Sequence, residues 1–185
     1  LLCEGTSITT GQLITENVSC LHDYTLQVSQ MRMAEQAELV VVSGAGLEDF
    51  LHDVLPENTL DASRGIALHC PDHEHDHHGH SHEEDPHIWL SPVNAMAMAE
   101  NICPGLIARY PEHRPVLERN LEGLVQELDA LHTYGQQQLA ELSCRDLITF
   151  HDGFSYFADA FDLHILEAVE EESGSEASAK ELIHL

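Results

Sequence analysis

Basic residues are scarce in this chain. Its 185 residues include seven lysines and arginines against 33 aspartates and glutamates, which gives a formal net charge of -26 at pH 7. Such a charge repels nucleic acid and anionic lipid surfaces and attracts cations. The composition therefore excludes nucleic-acid binding and favours positively charged ligands.

Long apolar runs and paired cysteines are also missing. No run approaches the roughly 20 apolar residues of a membrane-spanning helix, so we expect no direct membrane insertion of the chain as given. No basic and apolar leader precedes Cys3, and we expect any export signal to lie outside this sequence. The cysteines form no C-x-x-C pair, which argues against a zinc finger. Their disulfide pairing stays open: Cys3, Cys20, Cys70, Cys103 and Cys144.

Histidine is the residue that is abundant. Eight of the 15 histidines lie between His69 and His87, interleaved with acidic residues. Neutral imidazole is the commonest protein ligand of zinc, copper and nickel, and carboxylates add oxygen donors. An expression tag inside a chain would not alternate His with Asp, Glu, Gly and Ser. We therefore interpret 69–84 as a His-rich loop that handles a transition metal.

Outside that loop, strand and helix patterns alternate. Runs of β-branched and apolar residues predict strands, and apolar residues three or four apart predict helices. The predicted strands are 37–43, 146–150 and 163–168, the first of them buried on both faces. The predicted helices are 29–36, 47–54, 154–161 and a long region over 93–142, which starts after an N-cap at Ser91 and breaks near Tyr110-Pro111. These elements predict an α/β fold whose last long helix can join two lobes.

Three histidines stand in segments that are expected to be ordered. His151 directly follows the strand 146–150, and ligands of open α/β sheets lie beyond the carboxyl ends of strands. His87 leaves the His-rich loop for an apolar phrase, and His22 lies ahead of the first helix. Zinc needs three or four converging N, O or S donors. His22, His87 and His151 are therefore the candidate metal ligands.

Five motifs of the chain resemble those of one protein family. They lie at 22–24 (HDY), 37–41 (AELVV), 44–50 (GAGLEDF), 85–92 (DPHIWLSP) and 150–157 (FHDGFSYF). Their order and spacing, over nearly the whole chain, resemble the zinc- and manganese-class substrate-binding proteins of bacterial ABC importers, which are ZnuA/TroA-like and belong to cluster A-I. A His-rich acidic loop just before the D-P-H-x-W motif is typical of the zinc-selective members.

The resemblance implies a fold and a ligand set. It implies a TroA-like fold: an N-terminal α/β lobe over 1–110 that carries the His-rich loop, a linking backbone helix over 111–143, and a C-terminal α/β lobe over 144–185. His22 and His87 would be ligands from the first lobe, and His151 a ligand from the second. An imidazole at position 151 favours Zn2+ over Mn2+, as ligand softness also suggests.

The same resemblance implies a function and a partner. Members of the family capture zinc outside the cytoplasm, in the periplasm or lipid-anchored at the cell surface, and deliver it to the membrane permease of an ABC importer. We therefore expect a monomer that catalyses no reaction. Cell adhesion is a further activity associated with the family.

Two departures from the family pattern set further expectations. Residues 1–20 are short for the strand and helix with which family members begin, and the members continue beyond Leu185 to an acidic residue that often supplies a fourth ligand. We therefore expect a chain shortened at both ends, an incomplete second lobe, and an open fourth coordination position.

Two alternative functions stay open from the residues alone. A zinc buffer or chaperone would use the His-rich loop as many weak sites, and stoichiometry separates it from a protein with one tight site. A zinc hydrolase would also use three histidines and an open position, but the sequence has no H-E-x-x-H helix, and Asp23 or Asp152 would have to act as the base. The sequence favours binding over catalysis.

Overall fold

A computed structural model describes residues 1–15, 24–69 and 84–170 of the chain. Within these ranges helices and strands are interspersed along the chain, in agreement with the α/β prediction. The helices are α1 (Val28–Gln36), α2 (Pro92–Arg109), α3 (Arg114–Leu139) and α4 (Ser155–Ala160), and the strands are β1 (Val40–Val42), β2 (Thr59–Asp61), β3 (Asp146–His151) and β4 (His164–Glu170). Single 3-10 turns lie at Asp49–Leu51, Ile88–Leu90 and Pro111–His113.

The first sheet pairs β1 with β2 in parallel, with Val40 opposite Thr59. β1 spans three residues instead of the seven predicted, and Val41 is 42% exposed, so the prediction of a strand buried on both faces is wrong. β-branched side chains favour extended backbone locally. Burial depends instead on which elements pack against the strand, and the local pattern does not contain that information.

The segment after β1 is a turn and not the helix predicted over 47–54. Gly44, Ala45 and Gly46 have positive φ angles of 82°, 55° and 83°. The Glu48 carboxylate then accepts hydrogen bonds from the backbone N–H groups of Ser43 and Gly44 at 2.8 and 2.9 Å. Burial raises the pKa of this carboxyl, and the two backbone hydrogen bonds oppose the rise. Because the chain folds back on itself here, only the 3-10 turn Asp49–Leu51 forms.

α2 and α3 follow the sequence prediction closely. The Ser91 hydroxyl accepts a hydrogen bond from the Asn94 N–H at 3.4 Å, and Pro92 is the first residue of α2. The helical region breaks at Tyr110-Pro111 as predicted. α3 has 26 residues and is therefore about 39 Å long at 1.5 Å per residue.

α3 contacts a different part of the structure at each end. Near its start, Leu117 is fully buried against Cys103, Leu106 and Ile107 of α2. Near its end, Leu139 packs against a buried cluster formed by α4 and the segment that follows it. The long helix therefore connects the α2 layer to the second sheet.

The second sheet pairs β3 with β4 in parallel, and α4 makes the crossover between them. Burial alternates along β3, so one face of the strand packs inward and the other is exposed. β3 ends at His151, which lies at the carboxyl end of the strand as predicted. Among the described residues, no helix is long and apolar enough to cross a membrane.

The contact between α2 and α3 predicts a large effect of truncating Leu117. We expect Leu117→Ala to lower the free energy of unfolding by about 2–5 kcal/mol, because it leaves a cavity in a closed layer. Leu131→Ala is the matched control, since Leu131 lies on the same helix and is 53% exposed; it should cost about 0.5 kcal/mol or less. Urea unfolding followed by circular dichroism measures both, and equal losses would contradict this packing.

Candidate metal centre

The imidazole rings of His87 and His151 are in contact, although the two residues are 64 positions apart in the sequence. Their Nε2 atoms are 3.0 Å apart, and their rings lie edge to face with centroids 4.8 Å apart. His151 is the last residue of β3, and His87 directly precedes the 3-10 turn Ile88–Leu90. The parallel strand and the apolar turn therefore direct two imidazoles to one point.

The separation of the two nitrogens is close to what a shared metal ion needs. Two imidazole nitrogens bound to one tetrahedral zinc ion at 2.0–2.1 Å are about 3.3 Å apart. The observed 3.0 Å between the Nε2 atoms is slightly shorter and is also the length of a hydrogen bond. The pair can therefore share a proton or, with a small opening, share a metal ion.

Asp85 sets the orientation and tautomer of His87. One of its oxygens, Oδ1, accepts hydrogen bonds from His87 Nδ1 at 2.7 Å and from the His87 backbone N–H at 2.9 Å. With the proton held on Nδ1, the Nε2 lone pair points to the neighbouring imidazole. Carboxylates commonly orient metal-binding histidines in this way.

The charge of Asp85 is maintained in a sheltered position. Its side chain is 10% exposed, and burial alone would raise the pKa of this carboxyl. Hydrogen bonds from His87 and Ser155 outweigh that effect and hold the pKa below its usual range. A sheltered negative charge therefore lies beside the His87 ring, where it favours a bound cation.

α4 contacts Asp85 through two side chains. The Ser155 hydroxyl donates to Asp85 Oδ2, and the Tyr156 hydroxyl donates to the Asp85 carbonyl at 2.9 Å. The same Tyr156 hydroxyl accepts from the His69 N–H at 3.0 Å, and its ring stacks on His69 with centroids 4.2 Å apart. The His69 carbonyl also accepts from the Asp85 N–H at 2.9 Å. The two ends of the His-rich segment therefore meet beside the histidine pair.

Gly153 permits the close approach of the two rings. A Cβ atom at this position would lie 2.9 Å from Cε1 and Nδ1 of His87 and 3.0 Å from Cδ2 of His151. The 2.9 Å distances are shorter than real contacts of a Cβ atom, and the 3.0 Å distance is tighter than most of them. Any larger residue would therefore push the imidazoles apart.

Three residues that build this site were not predicted from the sequence: Asp85, Gly153 and Ser155. Asp85 precedes His87 by two positions, a spacing that allows a carboxylate to reach the imidazole. Gly153 follows His151 by two positions in a motif that was used only for its resemblance. No signal in the sequence indicates that Ser155 contacts Asp85, because the two residues lie 70 positions apart.

Two parts of the predicted metal-binding set are not among the described residues. His22 lies outside the described residues, as does most of the His-rich loop. Within the ranges that the structure describes, no group of three or more His, Cys, Asp or Glu side chains converges closely enough to hold a metal ion. Asp152 is exposed. The described residues therefore supply a pair of imidazoles, and a complete site needs a further donor.

Comparison with known proteins identifies the family. The model of the ZnuA family, described as the periplasmic component A of a zinc-uptake complex, matches residues 4–185. The chain is 34% identical over 170 residues to the high-affinity zinc uptake system protein ZnuA of Haemophilus ducreyi, covering 78% of this chain and 55% of that protein. It is 30% identical over 177 residues to a putative metal-binding protein of Treponema pallidum, covering 89% of this chain and 56% of that one.

A solved structure agrees with the sequence matches. The crystal structure of a ZnuA deletion mutant with zinc bound superposes with a TM-score of 0.74 at 32% identity, covering 88% of this chain and 62% of that one. The chain thus spans between about half and two thirds of the length of these relatives. The α/β architecture with a long helix is the TroA-like fold expected from the sequence, of which this chain covers a part. The chain belongs to the ZnuA family of zinc- and manganese-class substrate-binding proteins.

Proposed function

We propose that this protein captures Zn2+ outside the cytoplasm and delivers it to the membrane permease of an ABC importer. The observation that carries the proposal is the pair of Nε2 atoms of His87 and His151, 3.0 Å apart, with the sheltered carboxylate of Asp85 bound to the His87 ring. Two imidazoles with an anion beside one of them form the beginning of a zinc site. The family membership supports the same function.

The proposed ligands are His22, His87 and His151. They come from separate segments, which fits a site in a cleft between two lobes. We propose the lobes at 1–110 and 144–185, joined by the helical segment 111–143. α3 supports this division, because it packs on α2 at one end and on the second sheet at the other.

Zinc is the proposed cargo, ahead of manganese. Imidazole nitrogen suits zinc, whereas carboxylate, carbonyl and water oxygens suit manganese. The related ZnuA variant with zinc bound supports this choice. The net charge of -26 attracts divalent cations in general and does not select between the two metals.

The proposed partner and location follow from the family. We propose that a monomer in the periplasm or anchored at the cell surface docks on a permease and releases the ion there. The function is binding and release, and no step in it requires catalysis. A zinc buffer that works through the His-rich loop is the less favoured alternative, because the relatives that match are components of metal uptake.

Removing either imidazole of the pair should weaken zinc binding by orders of magnitude. No neighbouring described group is placed to replace the lost nitrogen, so His87→Ala and His151→Ala should each show this loss. His52→Ala is the control, since the side chain of His52 is 89% exposed on a surface turn. Competition with a chromophoric chelator measures the affinity, with Mn2+ as a parallel titrant. Unchanged zinc affinity in both variants would refute the assignment.

A methyl group at Gly153 should impair the site without touching a ligand. We expect Gly153→Ala to lower zinc affinity, because the added Cβ would lie 2.9 Å from the His87 ring. Gly123→Ala is the matched control: Gly123 lies on α3 and a Cβ there would have nothing within 4 Å. The control should bind zinc normally and be slightly more stable, because alanine favours a helix. Isothermal titration calorimetry reports both affinities, and equal binding by the two variants would contradict the close approach.

Stoichiometry separates the importer function from the buffer function. Deleting 71–83 removes imidazoles of the His-rich loop while leaving His69 and Asp85 in place. We expect the weak additional zinc equivalents to disappear and one tight equivalent to remain. Mass spectrometry of the native protein counts bound ions, and loss of the tight equivalent would favour the buffer. Weak equivalents of the intact chain should also fade toward pH 5, since protons compete for imidazole.

A further inference from the structure

Ser155 occupies the centre of a hydrogen-bonded chain of side chains. Its hydroxyl has a single proton, which it donates to Asp85 Oδ2. His69 Nδ1 lies 3.1 Å from the Oγ atom of Ser155. Because an ionised carboxylate can only accept, the proton of Ser155 goes to Asp85, and His69 Nδ1 is the donor to Ser155. The chain of hydrogen bonds therefore runs from His69 through Ser155 to Asp85.

The two carboxylate oxygens of Asp85 accept hydrogen bonds from two different parts of the molecule. Oδ1 accepts from the His87 backbone and ring, whereas Oδ2 accepts from Ser155 of α4. The hydrogen bond to Ser155 therefore holds the plane of the carboxylate while Oδ1 fixes the His87 ring. Without Ser155, this sheltered oxygen loses its partner and the carboxylate can rotate toward solvent.

One short segment, 151–155, contains both His151 and Ser155, and Ser155 contacts the carboxylate that orients His87. His151 ends β3, Gly153 lies under both rings, and Ser155 begins α4, all within five residues. Any movement that brings His151 to His87 therefore also brings Ser155 to Asp85. The segment 151–155 both supplies one imidazole and orients the other.

We propose that Ser155 is a positioning residue of the metal centre, which orients His87 through the Asp85 carboxylate only when His151 is in place. The proposal rests on the proposed function, because it takes His87 and His151 as zinc ligands. The orientation of the His87 imidazole then depends on the approach of His151. Partial sites that contain His87 without His151 are therefore poorly organised, and zinc is held firmly only when both parts meet.

Loss of the Ser155 hydroxyl should weaken zinc binding while leaving one tight site. We expect the Kd of Ser155→Ala to rise about 10- to 100-fold, the range for residues that orient a metal ligand. Ser155→Thr keeps the hydroxyl and should stay within about threefold of the parent protein. Ser63→Ala is the matched control, because Ser63 also donates to an aspartate, Asp61, at 2.7 Å but does so in the β2 turn. Its zinc Kd should not change.

Two further readouts separate positioning from a structural role. With Co2+ as the probe, Ser155→Ala should change the visible absorption bands, because the orientation of an imidazole ligand changes. In an Asp85→Ala background, Ser155→Ala should have no additional effect on the zinc Kd, because Ser155 acts through Asp85. Additive losses in this double-mutant cycle would overturn the proposal, and so would an unchanged Kd and cobalt spectrum in Ser155→Ala.

The outcomes distinguish this proposal from the proposed function. If His87→Ala and His151→Ala keep the parental zinc affinity, the metal centre itself is wrong. If both lose affinity and Ser155→Ala does not, only the positioning role is overturned. Urea unfolding of the metal-free variants checks folding, and the zinc Kd of Ser155→Thr must stay with the parent protein, and not with Ser155→Ala, if the hydroxyl is what matters.

Discussion

The hydrogen bonding of the sheltered Asp85 carboxylate is the interaction on which the rest of the site depends. Its Oδ1 accepts from the ring and backbone of His87, and its Oδ2 accepts from Ser155. A charge in such a sheltered place is stable only when its oxygens have donors. The same bonds that stabilise the charge orient one imidazole and connect it to α4. The contacts that stabilise this carboxylate are therefore the same contacts that orient a proposed metal ligand.

The scaffold brings these groups together from distant parts of the chain. α3 packs on α2 through Leu117 and on the second sheet through Leu139. His132 of α3 adds a hydrogen bond of 3.1 Å to the carbonyl of Ala160 at the end of α4. Because α3 is a single helix of 26 residues, it links α2 to the second sheet without a break. The hydrogen bonds from Ser155 and Tyr156 of α4 to Asp85 then hold the second sheet beside the segment that carries His87.

Local chemistry explains which elements were predictable. The helix start at Ser91-Pro92 and the break at Tyr110-Pro111 follow from capping and from the missing N–H of proline, and the structure confirms both. The helix predicted over 47–54 is wrong, because Glu48 uses its carboxylate to bind the backbone of the preceding turn. The spacing of apolar residues contains no information about a side chain that hydrogen-bonds to the backbone.

The sequence by itself determined the chemistry of the protein. Its histidine-rich composition, acidic charge and family motifs predict a metal site with His22, His87 and His151 as ligands, since residue type alone decides donor softness and charge. Only the tertiary structure decided that the Nε2 atoms of His87 and His151 lie 3.0 Å apart and that Ser155 holds Asp85 beside His87. Contacts over 64 and 70 positions depend on how helices and sheets pack, and no local pattern encodes that packing.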